Sequence, residues 1–190
     1  MSRTRSNRLA FAAVLALLLS AGPAWAQDGA ALIAENCGAC HARDGNGAYA
    51  RISEVRKTPE GWQMTLNRMQ HVHGMALEDE TFAALVRHLS DTRGLAPDEA
   101  RPYRYVLERR PDFIDKEIDP ELNVMCGRCH TNARYALQRR TEGDWLKHVH
   151  MHVGQYPSLE YQASSRDREW WKVASTQLPA KLATLFPLNS

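Results

Sequence analysis

The sequence predicts an all-α protein that consists of two small helical bundles. Apolar residues recur at helical spacing, as in Phe82, Leu85 and Leu89, and alternating strand patterns are almost absent. Pro59 and Pro97 stand where the first turns of helices would begin. Helices are therefore predicted at about residues 28–40, 58–72, 78–92, 98–109, 120–130, 141–154, 158–173 and 178–185.

Residues 1–26 have the pattern of a secretory signal peptide. Three arginines precede an apolar run, Leu9 to Leu19, and the small-residue cleavage pattern Ala24-Trp25-Ala26 follows it. The run is about half as long as the roughly 20 residues that a membrane-spanning helix needs. We expect cleavage after Ala26 and a periplasmic protein without a membrane span.

The chain that remains after cleavage is close to neutral. The 190-residue sequence holds 24 basic and 22 acidic side chains, and three of the basic ones lie in residues 1–26. A mature chain with 21 basic and 22 acidic side chains has no net charge that would attract nucleic acid or a membrane surface.

The four cysteines form two copies of one pattern. Cys37-Gly38-Ala39-Cys40-His41 and Cys126-Gly127-Arg128-Cys129-His130 are both C-x-x-C-H motifs. Two thiols three positions apart can reach both vinyl groups of one porphyrin, and the histidine that follows then lies under the iron. The pattern predicts two covalently bound haem c groups, with His41 and His130 as proximal iron ligands. Each predicted bundle is then a cytochrome c-like lobe around one haem.

Disulfide formation, zinc binding and chance compete with haem attachment as the reason for the cysteine pattern. Disulfides, redox-active or structural, suit an oxidising compartment but leave both histidines unexplained. A four-cysteine zinc site also uses C-x-x-C arms, although 85 residues separate Cys40 from Cys126, far more than in typical zinc sites. Chance is disfavoured because the two motifs use every cysteine.

The two halves repeat each other beyond these motifs. Thr58 precedes Trp62 by the same step as Thr141 precedes Trp145, and each threonine is predicted to cap the start of a helix. A linker is predicted where proline and charge replace periodic apolar residues, from residue 110 to residue 120. The first lobe is therefore assigned to residues 27–110 and the second to residues 111–190.

The repeat also predicts the distal iron ligands. Seven residues after the tryptophan of each half, two turns along the same helical face, stand Met69 and His152. Both side chains can bind haem iron, so haem one is predicted to be His/Met and haem two bis-His. His73 is the alternative for the first haem. Candidates that the register favours less are Met64, His71 and Met75 in the first half, and His148, His150 and Met151 in the second.

No further chemistry stands out, and no catalytic residue is predicted. The sequence has no Gly-rich phosphate loop, no Ser-His-Asp spacing and no paired-carboxylate motif. Arg139-Arg140 and Arg109-Arg110 are expected on solvated faces, with the alternative that arginines near haem pair with its propionates.

Five stretches carry a resemblance that covers nearly all of the mature sequence: residues 56–62, 73–74, 87–95, 103–110 and 154–162. On these residues the chain resembles the N-terminal dihaem cytochrome c domain of the quinohaemoprotein amine dehydrogenase alpha subunit. In that family a small subunit with a cysteine tryptophylquinone oxidises primary amines, and the alpha subunit's haems, one His/Met and one bis-His, pass electrons to a soluble acceptor.

The resemblance implies dehydrogenase subunits as the electron donor and a soluble cytochrome c or copper protein as the acceptor. A full alpha subunit continues into β-rich domains, whereas this chain ends at Ser190; we expect a stand-alone dihaem cytochrome or a shortened alpha subunit. Because every cysteine is assigned to haem, the chain alone is not expected to oxidise amines.

Electron transfer competes with two other functions. A dihaem enzyme such as a cytochrome c peroxidase needs an open distal position, and the surplus of candidate ligands argues against it. A redox or gas sensor normally carries an output domain.

Overall fold

The computed structural model describes residues 28–159 and 167–189. The signal peptide and part of the helix predicted at 158–173 lie outside these residues. The described chain is mostly helical, as predicted, and within it no helix is both long and apolar enough to cross a membrane. The α-helices are α1 (Gly29–Cys37), α2 (Pro59–His73), α3 (Asp79–Arg93), α4 (Pro97–Ala100), α5 (Pro120–Met125), α6 (Ala133–Ala136), α7 (Glu142–Gln155), α8 (Trp170–Thr176) and α9 (Leu178–Leu185).

The two long helices of the repeat begin as the sequence predicts. The hydroxyl of Thr58 accepts a hydrogen bond from the Gly61 N–H at 3.2 Å, and the hydroxyl of Thr141 accepts one from the Asp144 N–H at 3.2 Å. Each bond satisfies a donor of the first turn that has no partner within the helix. The predicted caps of α2 and α7 are confirmed.

Two short strands, which the sequence does not predict, connect the halves. β1 (Val55–Lys57) and β2 (Gln138–Arg140) pair antiparallel, with Arg56 opposite Arg139. Each strand directly precedes a capping threonine and has only three residues, too few for an alternating pattern to be recognised. The purely all-α prediction is therefore corrected by a two-stranded ribbon that only tertiary pairing creates.

Several predicted helices end early or change type. α1 ends at Cys37 and α5 at Met125, so neither helix continues through its C-x-x-C-H motif. Helix 98–109 becomes α4 followed by a 3-10 helix at Arg101–Val106, because Pro102 lacks the N–H that an α-helix would use. Residues 167–169 are not helical, and α8 begins at Trp170.

The buried apolar residues form two clusters. The first comes from the N-terminal half: Leu32, Ile33, Cys37, Val55, Trp62, Leu66, Leu85 and Leu89. The second comes from the C-terminal half and includes Leu122, Met125, Tyr135, Trp145, Val149, Trp170, Leu178, Leu182 and Phe186. The ring of Tyr103 packs edge-on against Phe186 at 6.3 Å between centroids, so the segment before residue 110 contacts the second cluster. The lobe boundary at residue 110 stays a prediction.

Candidate functional site

The two C-x-x-C-H motifs take similar tight turns. The N–H groups of Cys40 and His41 donate to the Cys37 carbonyl at 3.2 and 2.9 Å, and the Cys129 N–H donates to the Cys126 carbonyl at 3.3 Å. The first cysteine of each motif packs against its own apolar cluster, whereas the second is exposed. The repeat in sequence is thus a repeat in local structure.

The glycine after each first cysteine permits this turn. A Cβ atom on Gly38 would lie 2.6 Å from the Ala34 carbonyl oxygen, and one on Gly127 would lie 2.7 Å from the Asn123 carbonyl oxygen. Both distances are far shorter than a normal van der Waals contact. Glycine therefore has a steric role at the same position of both motifs.

The inner thiols are in surroundings that favour the protonated form. Burial raises the pKa of Cys37, and burial together with the neighbouring Cys129 raises the pKa of Cys126 to about 12. A redox-active cysteine pair needs a lowered pKa, because the thiolate is the nucleophile. In residues 28–159 and 167–189, no three Cys, His, Asp or Glu side chains converge on a metal position. The raised pKa values therefore do not favour a redox-active thiolate at Cys37 or Cys126.

The three histidines predicted as iron ligands have one hydrogen bond in common. Nδ1 lies 2.8 Å from the Ala50 carbonyl in His41, 3.0 Å from the carbonyl of the next residue in His130, and 2.9 Å from a carbonyl one turn earlier in His152. A carbonyl oxygen only accepts, so Nδ1 carries the proton and Nε2 of the neutral ring carries the lone pair. Metal-binding histidines are commonly fixed in this way.

The structure brings His130 and His152 together. Their ring centroids are 6.4 Å apart, with the ring planes at 39°. Two imidazoles on opposite sides of one metal ion have ring centres about 6 Å apart, because each metal–nitrogen bond is about 2 Å long. Burial lowers the pKa of His130, which favours the neutral ring that a metal needs. The spacing and the donor set fit a haem iron with two imidazole ligands.

The other two histidines of α7 have different surroundings. The ring of His148 packs edge-on with the His152 ring at 5.1 Å and with the Trp145 ring at 5.9 Å. His150 is exposed and packs edge-on against Trp171 at 5.0 Å. His152 thus has the position that the register predicts, and its role as a ligand stays a prediction.

Most candidates for the first distal ligand lie at or just beyond the C-terminal end of α2. Met69 is half-buried, and its carbonyl accepts hydrogen bonds from the N–H groups of Gly74 and Met75. Gly74 has a φ of 70°, a left-handed conformation that glycine adopts without strain. Past this turn Met75 packs against the first apolar cluster, to which Cys37 belongs, whereas His73 is exposed. His71 and Met64 are also exposed.

Sequence reasoning missed a group of buried charges beside the ribbon. Arg139 and Arg140 are 6% and 4% exposed, so their expected place on a solvated face is wrong, whereas Arg109 and Arg110 are exposed as expected. Arg139 and Arg140 are buried because they belong to β2, which pairs with β1. The repeat holds a signal for this group, since two basic residues directly precede the capping threonine in both halves.

These features define a mostly helical domain whose paired histidines fit haem iron. A family model described as "Quinohemoprotein amine dehydrogenase A, alpha subunit, haem binding" matches residues 27–190. The chain belongs to this haem-binding family, which confirms the family that the resemblance indicated. A search among curated proteins finds no match.

Proposed function

We propose that the chain is a periplasmic dihaem c-type cytochrome that transfers electrons. It acts as the haem-bearing, alpha-subunit-like module of an amine dehydrogenase and delivers electrons to a soluble acceptor. The observation that carries this proposal is the 6.4 Å spacing of the His130 and His152 rings. A haem iron with two protein ligands has no open position for a substrate and supplies one-electron transfer.

Each residue of the proposed site has one task. Cys37 with Cys40, and Cys126 with Cys129, hold one haem each through thioether bonds. His41 and His130 are the proximal ligands, and the backbone carbonyls at their Nδ1 atoms orient Nε2.

The proposed distal ligands are Met69 for the first haem, with His73 as the alternative, and His152 for the second. His152 has the same backbone support as the proximal histidines, since its Nδ1 lies 2.9 Å from the His148 carbonyl. A methionine ligand raises the potential of its haem above that of a bis-His haem. Electrons therefore rest preferentially on the first haem.

The proposed compartment and partners are supported by the sequence and by the family description. Residues 1–26 have the pattern of a signal peptide, which supports export to the periplasm. The family description names an amine dehydrogenase alpha subunit, which supports dehydrogenase subunits as the donor. A soluble cytochrome c or copper protein is the proposed acceptor.

Mass spectrometry of the chain, purified from a periplasm that attaches haem c and then denatured, tests the number and attachment of the haems. The proposal predicts a chain that begins at Gln27 and retains the mass of two haems. A Cys126→Ser, Cys129→Ser variant should retain one haem, and a Cys37→Ser, Cys40→Ser variant the other. Loss of all haem on denaturation would contradict covalent attachment, and one haem in the unmodified chain would contradict the dihaem proposal.

A further inference from the structure

The ribbon has charged residues on both faces, and on one face two arginines share one carboxylate and several backbone acceptors. Arg56 and Arg139 lie opposite each other and share the carboxylate of Glu99, with N–O distances of 2.5 and 3.0 Å. Further guanidinium hydrogens of Arg56 go to the backbone carbonyls of Gly94 and Leu188, both at 3.0 Å. The hydrogen bonding of this face is therefore largely satisfied by Glu99 and backbone carbonyls.

On the other face cations outnumber carboxylates. Lys57 and Arg140 are 6% and 4% exposed, and the carboxylate that faces them is that of the fully buried Asp144. Arg140 forms an ion pair with Asp144, and Arg51 adds a second cation 3.5 Å from its other oxygen. Arg68 also lies within electrostatic reach of Asp144. We call Lys57, Arg68 and Arg140, together with Arg51 and Asp144, the cationic cluster.

The surplus positive charge is costly without an anion. A buried charge must be paired, or its pKa shifts toward the neutral form. Burial, followed by the charges of Arg140 and Arg68, holds the pKa of Lys57 well below its usual range. The Lys57 ammonium donates to the Thr65 hydroxyl at 2.7 Å, a neutral partner that does not balance its charge.

A buried donor beside the cluster also has no acceptor. Trp145 is 1% exposed, Arg140 lies over its ring at 5.4 Å, and its Nε1 has no hydrogen-bond partner in the described chain. Its counterpart in the repeat, Trp62, donates from Nε1 to the Arg93 carbonyl at 3.0 Å. A buried indole N–H without a partner is uncommon. Together with the cations it indicates an anion with acceptor oxygens.

The cluster includes or contacts the chain neighbours of both proposed distal ligands. Arg68 and Met151, which occupy equivalent places in the repeat, are joined by a hydrogen bond from Nη1 of Arg68 to the Met151 sulfur at 3.4 Å. Arg68 precedes Met69 in the chain, and Met151 precedes His152. The His148 ring contacts both the Trp145 ring and the His152 ring.

We propose that Lys57, Arg68 and Arg140 bind the propionate carboxylates of the haems, with the Trp145 indole N–H as a further donor. Arginine and lysine are the usual partners of buried carboxylates, and charge-assisted hydrogen bonds are the strongest of their kind. This inference rests on the proposed occupancy by haem. The bound cations offset the propionate charge and so raise the potential of the haem concerned, since they oppose the more positive oxidised state.

The test uses holoprotein in which two haems per chain have been verified, so a failure of the proposed function appears before the variants are compared. Arg68→Gln and Lys57→Met each remove one cation, whereas Arg140→Gln would leave Asp144 without its ion-pair partner and is more disruptive. Arg101→Gln removes a cation whose side chain is 74% exposed and is the matched control. The readouts are spectroelectrochemical potentials and the propionate bending modes in resonance Raman spectra, in phosphate-free buffer.

Each cluster variant should lower the potential of at least one haem by a tenfold change in its reduction equilibrium, about 59 mV for one electron, and should shift a propionate mode. Arg101→Gln should do neither. Potentials and Raman modes equal to those of the control would overturn the inference. If added phosphate moves the potentials of the wild type while the variants leave the propionate modes unchanged, the cluster binds a solution anion and the inference is likewise overturned.

Discussion

Arg56 and Arg139 lie opposite each other in the ribbon of β1 and β2 and bind the same carboxylate, that of Glu99. They are the central pair of the three that the strands form. Each is followed by one further basic residue and then by the threonine that caps α2 or α7. Arg56 and Arg139 therefore occupy equivalent positions of the sequence repeat, and Glu99 connects the two halves at this pair.

Glu99→Ala should destabilise the protein by about 3 kcal/mol, because it leaves two largely buried guanidinium groups without their shared carboxylate. Urea unfolding of the holoprotein, followed by circular dichroism, measures the change. Asp98→Ala is the matched control, since the Asp98 side chain is 84% exposed and pairs with an exposed arginine; it should change stability by less than about 0.5 kcal/mol. Equal stability of the two variants would show that Glu99 does not join the halves.

Asp119 caps α5, the helix that leads into the second C-x-x-C-H motif. Its carboxylate accepts hydrogen bonds from the N–H groups of Glu121 and Leu122 at 2.9 and 3.0 Å and pairs with Lys181 at 3.2 Å. Asp119→Ala should lower the free energy of unfolding by about 1 kcal/mol, and Asp119→Asn by less, because asparagine also caps well. Equal losses in the two variants would assign the effect to the charge instead of the cap.

The contribution of Asp119 should depend on pH in the acid range. The hydrogen bond from Leu122, with Lys181 as a smaller cause, lowers the pKa of Asp119 in the folded protein. The unfolded chain therefore binds the proton more readily, so the stabilisation is present above pH about 4 and is lost as pH falls through the folded-state pKa. The stability difference between wild type and Asp119→Ala should shrink between about pH 5 and pH 3. A difference that stays constant over this range would contradict the cap's ionic character.

Gly29→Ala should destabilise the protein by about 1–3 kcal/mol. A methyl group there would overlap the imidazole of His88 on α3, so α1, which carries the first motif, would have to move away from α3. Gly143→Ala is the control, because a Cβ atom at this position of α7 meets no atom within 4 Å, and alanine favours the helix. The prediction fails if thermal unfolding shows both variants to be as stable as the wild type.

Met69→Ala should lower the potential of one haem and abolish the weak charge-transfer band of methionine-ligated ferric haem, because the thioether ligand is lost. His73→Ala, at an exposed position near the same end of α2, should leave both signals unchanged. Met75→Ala provides the sharper comparison, since Met75 packs against the cluster that contains Cys37. If Met75→Ala alone removes the band, the register argument for Met69 is wrong and the ligand follows the Gly74 turn.

The parts of this fold that the sequence predicts are those with local causes. The caps at Thr58 and Thr141 depend on bonds within three residues, and so they can be identified without a structure. The ribbon, by contrast, requires strands 83 residues apart to meet, and no local pattern marks three-residue strands. The same pairing buries Arg139 and Arg140, which is why their expected exposure is wrong.

In the candidate site, too, the sequence predicts the features with local causes and not those that depend on tertiary packing. The C-x-x-C-H motifs and the α7 register indicate His130 and His152 from sequence alone, and the structure adds the distance between their rings. For the first haem the register indicates Met69, but the chain turns back at Gly74 and brings Met75 to the core. The packing of Met75 against the first cluster is a tertiary contact that periodicity does not reveal.

Low-temperature electron paramagnetic resonance of the oxidised holoprotein shows whether His152 is an iron ligand, by comparing wild type with His152→Ala and the control His150→Ala. We expect two low-spin ferric signals in the wild type and in His150→Ala. In His152→Ala we expect one low-spin signal and a new high-spin signal from the iron that has lost its distal ligand. A high-spin signal already present in the wild type, or two unchanged low-spin signals in His152→Ala, would contradict the pairing of His130 with His152 in an electron-transfer site.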